Sequence, residues 1–249
     1  MKLFSILIMV LGELGTGTAL FVCLQQTGEI RKSFFAFQSW LVAACFLFMS
    51  MVGREERFFH SVYFPVAVFA ALAANNFSAE RPRWGKGLLF TAAFFGGIFL
   101  ASQIWGVELQ MKSKILALTN VAAGTFLFGW VNGSMILGHW YLIMRGLSFG
   151  HFQRATLQLL IAVMVRFLIF GIALLGTFSG NISVERRLGV IDPIFFFMRA
   201  VWGWFLPGIF GFMAWRCAQT GSNQAGTGLL YLIEVSVLIG EILVAWLGI

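Results

Sequence analysis

A chain of 249 residues that is 59% hydrophobic and 11% charged, with a mean hydropathy of +0.88, cannot cover a water-soluble fold, because soluble domains run near 25% charged. Twenty-nine Phe and nine Trp deepen that bias. The formal charge of +7 is therefore loop charge facing lipid headgroups, and no basic stretch interleaved with aromatics points to nucleic acid.

A helix crosses the hydrocarbon core with about 20 mostly apolar residues. The windows that supply them are 3–25, 34–52, 58–77, 87–105, 115–144, 155–178, 194–215 and 227–248. They are continuously apolar and lack period-two alternation, so helices are expected and barrel strands are not. The expected class is all-α: a polytopic membrane protein of about eight transmembrane helices, one transmembrane domain over 1–249, with a helix number that suits two four-helix bundles.

The first window imitates a signal peptide, with Lys2 ahead of Leu3–Leu11. Apolar character resumes beyond Glu13 and runs to Leu24 with no small-x-small cleavage site, which favours a retained first helix. Cys45 falls in the middle of the second window, where a thiol behaves as a small hydrophobe. Cys23, Cys45 and Cys217 form no C-x-x-C, which argues against an iron–sulfur cluster or structural zinc held by this chain. The fifth window is the longest, so that helix is expected to tilt or to project from the membrane. The longest connection, 179–193 (SGNISVERRLGVIDP), is too short for a catalytic domain.

Lys and Arg in the loops set orientation. The face with the loops RKSF, ERPRWGK and RGLSFGHFQR, together with Arg216, holds eight basic residues against seven on the opposite face. That places them in the cytoplasm and both termini outside, with the bacterial inner membrane as the expected location.

An ionisable side chain at mid-bilayer costs about 2.5–3.5 kcal/mol on the translocon scale, so each needs a reason. Five stand out: Glu13, Arg166, Arg199, Glu234 and Glu241. Glu234 and Glu241 are two turns apart on one helical face, which Thr227 and Tyr231 extend. Alternating helix directions put Glu13 and Arg166 near the midplane, Glu234 towards the Arg-rich face, and Glu241 and Arg199 towards the other. The pairings reachable by depth are Glu13 or Glu234 with Arg166, and Glu241 with Arg199. Three readings stay open: ion pairs that hold the bundle, a proton path or polar cavity, and snorkelling of Arg199 and Glu241.

The fifth window contains GWVNGSMILGHWYLIMRGLSF. Thr125, Asn132 and His139 recur every seven residues as a polar stripe, with Ser134 and Tyr141 on the opposite side. Gly129 and Gly133 make a G-x-x-x-G, which marks close helix packing. His139, Trp140 and Tyr141 lie near the end of the span, where aromatic belts are ordinary and a His can also meet a headgroup or a quinone carbonyl. Haem b is an unfavoured alternative, because the same-side pair His139 and His151 is strained as a ligand set. No histidine boxes and no H-E-x-x-H occur. GELGTG around Glu13 lies inside a helix and is no nucleotide loop.

Eight helices, the buried acids, the His139–Trp140–Tyr141 cluster, and the run of Arg199, Pro207 and Arg216 followed by GTGLLYLIEVSVLIGEIL resemble the haem-free membrane anchors of polysulfide and dimethyl-sulfoxide reductases. The resemblance is architectural and brings no site residue with it. It implies a membrane-anchor subunit that holds redox subunits and exchanges electrons and protons with quinone, catalytic only within an oxidoreductase complex. The residues assigned here to quinone or protons are Glu13, Asn132, His139, Tyr141, Arg166, Arg199, Glu234 and Glu241. The alternatives are a small-solute or proton transporter or channel, and a structural subunit of a larger membrane complex.

Overall fold

The computed structural model describes residues 2–28, 30–52, 57–105, 111–144, 148–178 and 193–247. Most of the 179–193 connection, loop charges such as Arg54, Arg145, Arg186 and Arg187, and the side chain of His60 lie outside the described residues. Among those described there is no strand, and the elements are α1 (Lys2–Leu24), α2 (Lys32–Val52), α3 (Arg57–Ser78), α4 (Pro82–Trp105), α5 (Met111–Ile143), α6 (Phe149–Phe178), α7 (Pro193–Ala200), α8 (Leu206–Gln219) and α9 (Asn223–Leu247). A π-helical turn, Val201–Phe205, joins α7 to α8 without a break. By length and composition seven of these helical stretches can cross a bilayer, with Phe197–Gln219 counted as one, and α3 adds the shorter apolar helix Val62–Ser78. The protein is an integral, all-helical membrane protein.

Several helices begin before their apolar windows: α4 at Pro82, α6 at Phe149 and α9 at Asn223. Inside lipid a backbone must satisfy its own N–H and C=O groups, so a helix runs on until it reaches water. The extra turns carry Arg83, Lys86, Gln153 and Arg154, long polar side chains that suit the headgroup layer. Trp84, Trp105 and Trp246 are exposed near helix ends, as interfacial aromatics are.

The helices make two four-membered rings. In the first, α1 packs on α2, α2 on α3, α3 on α4 and α4 back on α1; in the second, α5, α6, α8 and α9 close in the same order. The rings join chiefly through α1 and α5. Phe37, Phe48, Phe90, Phe94, Ile161 and Leu168 point outward, so the exterior is as apolar as the lipid it meets.

The α1–α5 contact rests on two glycines. A Cβ on Gly17 would lie 2.9 Å from the backbone N of Gly129 and would collide with the carbonyl of Thr125. One turn on, Gly133 leaves the room that the ring of Phe21 fills. The G-x-x-x-G expected to pack closely does so, against α1. Without a hydrophobic drive between helices in lipid, such contact comes from van der Waals fit and interhelical hydrogen bonds.

The turns α3–α4 and α8–α9 each use one residue in the left-handed region, Glu80 at φ 63° and Gly221 at φ 73°. Lys32 Nζ lies 2.6 Å from the Glu80 carboxylate, and this hydrogen bond and charge hold that carboxyl below its usual range. At the π turn, the Ser236 hydroxyl of α9 donates to the Trp202 carbonyl at 2.7 Å.

Gly129→Ala places a methyl group on the backbone of α1 and is expected to cost about 3 kcal/mol. Thermal unfolding in detergent should show Tm lowered by roughly 10 °C. An unchanged Tm would mean that the helices do not cross at this point.

Candidate functional site

The long helix α6 carries Arg166 about 26 Å along its axis from Phe149, and α9 carries Glu241 about 27 Å from Asn223, at 1.5 Å per residue. Both helices start on the same face of the bundle, so the two side chains meet at one depth. Arg166 Nη2 donates to Glu241 Oε2 at 2.8 Å and lies 2.8 Å from Oε1, and each side chain is 3% exposed. Glu13, buried in α1, lies within electrostatic range of both Glu241 and Arg166. The guanidinium of Arg199, also buried, is 5.8 Å from the ring centres of both Phe170 and Trp204 and within electrostatic range of Arg166 and Glu241.

Two of the pairings read from depth are therefore corrected. Arg166 takes Glu241 as its direct partner, with Glu13 within electrostatic range of both, and Arg199 rests on aromatic rings. α6 starts six residues and α9 four residues before its apolar window, which brings Arg166 and Glu241 to within about 1.5 Å in depth. Glu234 joins no pair among the described residues: its Oε2 is buried without a hydrogen-bond partner.

The stripe Thr125–Asn132–His139 on α5 separates into three environments. Thr125 donates back to the Val121 carbonyl at 2.8 Å. Asn132 Nδ2 donates to Thr18 Oγ1 at 2.9 Å and lies 3.5 Å from Gln38 Oε1, which ties α5 to α1 and α2. His139 is exposed, and its Nδ1 is 3.4 Å from the hydroxyl of Tyr231 on α9. Tyr141 turns away and donates to the carbonyl of Ser148 at the entry of α6, while His151 is buried. Among the described residues no three His, Cys, Asp or Glu side chains gather as metal ligands.

Tyr231 belongs to the stripe that the α9 pattern marks, although it is not among the residues assigned to the site from sequence. It is 45% exposed beside His139, near the end of the span where aromatic side chains are at home. Thr227, one turn earlier, is buried against Gly138 with its hydroxyl unpartnered. Along α9 there follow Tyr231, then Glu234, then Glu241, the two acids separated by about 10 Å of helix. The arrangement offers a hydrogen-bonding His–Tyr pair at the lipid boundary, a buried carboxyl one turn below, and a charge cluster two turns further in.

The chain matches no family model, no curated protein and no solved structure.

Asn132 bonds to Thr18 and lies beside Gln38, which ties three helices together. Asn132→Leu strands Thr18 and Gln38 and is expected to cost about 1–3 kcal/mol. The stability loss should be visible in thermal unfolding, while any quinol turnover per folded molecule stays at the wild-type value. A variant as stable as the wild type, or folded but inactive, would return Asn132 to the functional site.

Proposed function

We propose that this protein is the membrane-anchor subunit of an electron-transfer complex in the bacterial inner membrane, with its termini outside, exchanging electrons and protons with quinone. The observation that carries the reading is the His139–Tyr231 pair open to lipid above the unpartnered carboxyl of Glu234. A quinone reaches its site through the bilayer and is held by hydrogen bonds to its two oxygens. His and Tyr supply such bonds from a surface otherwise apolar. Quinol oxidation releases two protons and two electrons. Glu234 stands next to the pair as first proton acceptor, and Glu241 with Glu13 lies beyond it. The electrons pass to a redox subunit bound at the membrane surface.

A second reading has its own support. The two helix rings meet along α1 and α5, and the cluster at their junction takes Glu13 from one ring and Arg166, Arg199 and Glu241 from the other. Transporters built from repeated halves carry coupling groups in such a place, so a proton or small-solute carrier is the alternative.

Purification of a tagged copy from native membranes separates the two. Iron–sulfur, cytochrome or molybdenum subunits in stoichiometric amount support the anchor, and a protein that purifies alone moves the assignment to a carrier. In the complex, His139→Ala is expected to abolish quinol-dependent turnover while leaving assembly intact. Loss of one hydrogen bond in Tyr231→Phe should lower it roughly 10-fold, and Glu234→Gln roughly 100-fold. Wild-type turnover in His139→Ala would remove this pair from the mechanism.

A further inference from the structure

The two rings repeat one another at the level of single residues. Gly85-Lys86-Gly87-Leu88-Leu89-Phe90 in α4 and Gly226-Thr227-Gly228-Leu229-Leu230-Tyr231 in α9 share the pattern G-x-G-L-L-aromatic, and each begins at the fourth residue of its helix. The turns before them are the same turn. Arg81 N bonds to Asn76 O at 2.8 Å and Ser222 N to Cys217 O at 2.9 Å. Gly85 N bonds to Arg81 O at 3.1 Å and Gly226 N to Ser222 O at 3.0 Å. Glu80 and Gly221, the left-handed residues, occupy matching positions. In α1 and α5, Gly12 and Gly17 correspond in spacing to Gly124 and Gly129, and Gly17 and Gly129 touch each other where the halves meet. Two units with the same helix order and an even helix number insert in the same direction, related by an axis along the membrane normal.

The correspondence locates the charge cluster. A Cβ on Gly12 would lie 3.2 Å from Leu100 Cδ2 and 3.5 Å from Met49 Cε. A Cβ on Gly124 would lie 3.0 Å from Glu241 Oε2 and would collide with Arg166 Nη1. In both units a glycine on the first helix faces side chains from the second and fourth helices, and in the first unit Phe99 joins Leu100 there at 3.4 Å. Leu100 and Glu241 match through the shared turn, as do Phe90 and Tyr231, and Ala93 and Glu234. The first unit fills the place with Met and Leu, and the second with Arg and Glu.

We infer that the chain is a duplicated four-helix unit in which Arg166 and Glu241, standing where the first unit has Met49 and Leu100, form with Glu13 a proton-holding site and do not hold the fold. The corresponding backbone closes around apolar side chains, Met49, Phe99 and Leu100, that a Cβ on its glycine would meet at 3.2–3.5 Å, so packing does not require the charges. Replacing a buried ion pair by apolar residues of similar volume is often neutral or stabilising, whereas removing one partner is strongly destabilising. Two buried carboxyls, Glu13 and Glu241, beside one directly paired guanidinium favour a proton on one of them, because like charges sharing a site disfavour double ionisation. Arg166 Nη1, buried and without a partner, steadies the pair when that proton leaves, and Arg199 is the remaining charge beside it. The inference extends the proton path of the proposed quinone site, but its test uses no quinone, so the two can fail separately.

The experiment compares purified full-length variants by thermal unfolding and by infrared spectroscopy across pH in water and deuterium oxide. Glu241→Leu alone should lower Tm by roughly 10 °C. Glu13→Gln with Arg166→Met and Glu241→Leu, which copies the apolar arrangement of the first unit, should unfold within about 4 °C of the wild type or above it. A triple variant that unfolds as early as Glu241→Leu, or fails to fold, overturns the inference by making the charges structural. In the infrared, the wild type should show a deuterium-sensitive protonated-carboxyl band with a component lost in Glu13→Gln. An unchanged band in Glu13→Gln would show that the proton is not held by this pair, and would overturn the inference as well.

Discussion

Where Gly17 of α1 passes Gly129 of α5, backbone meets backbone, and the placement of the other charged helices follows from that contact. Lipid offers no hydrophobic drive between helices, so two helices stay together only if their surfaces fit and their polar groups are met. A side chain at either glycine would hold α1 and α5 apart. With them in contact, α1 also touches α9, and Glu13 comes within electrostatic range of Glu241. The hydrogen bond from Asn132 to Thr18 lies one turn from the crossing and fixes its register.

The buried polar groups divide into two kinds. Asn132, Thr18 and Gln38 answer one another across three helices, as do Trp130 and Gln158, whose indole N–H donates to the amide oxygen at 3.1 Å. Such bonds lock helix positions. The acids of α9 are different, because they follow one stripe from an exposed phenol inward to a buried charge cluster. An intramembrane acid of that sort is better explained by what it exchanges than by what it holds.

The amino-acid pattern made the helix class and number legible because twenty-residue apolar runs have few other physical solutions. Gly129 and Gly133 were legible as a packing face for the same reason. Which acid meets which arginine was not, since depth depends on where a helix starts, and six further residues at the head of α6 with four at the head of α9 bring Arg166 and Glu241 to one depth. The stripe Thr125–Asn132–His139 was misleading in another way. A seven-residue repeat drifts by about 20° per step on a straight helix: Thr125 bonds back to its own helix, Asn132 meets α1 and α2, and His139 meets α9. The correspondence of Gly85–Phe90 with Gly226–Tyr231 is too short to stand out as a repeat in the sequence alone. It gained meaning from the matching turns that precede the two segments.

The π turn at Val201–Phe205 amounts to one residue more than an α-helix of the same rise would hold. Such a turn is a phase shift: everything on one side of it is rotated by about 100° relative to an uninterrupted helix. Arg199 lies just before the shift and the lipid-facing Phe205, Ile209 and Phe212 lie within or after it. The extra residue therefore lets one continuous helix present a guanidinium to the protein interior and an apolar face to lipid. A lineage that lost one residue here would keep its span and its hydropathy, yet would swing the arginine out of the cluster.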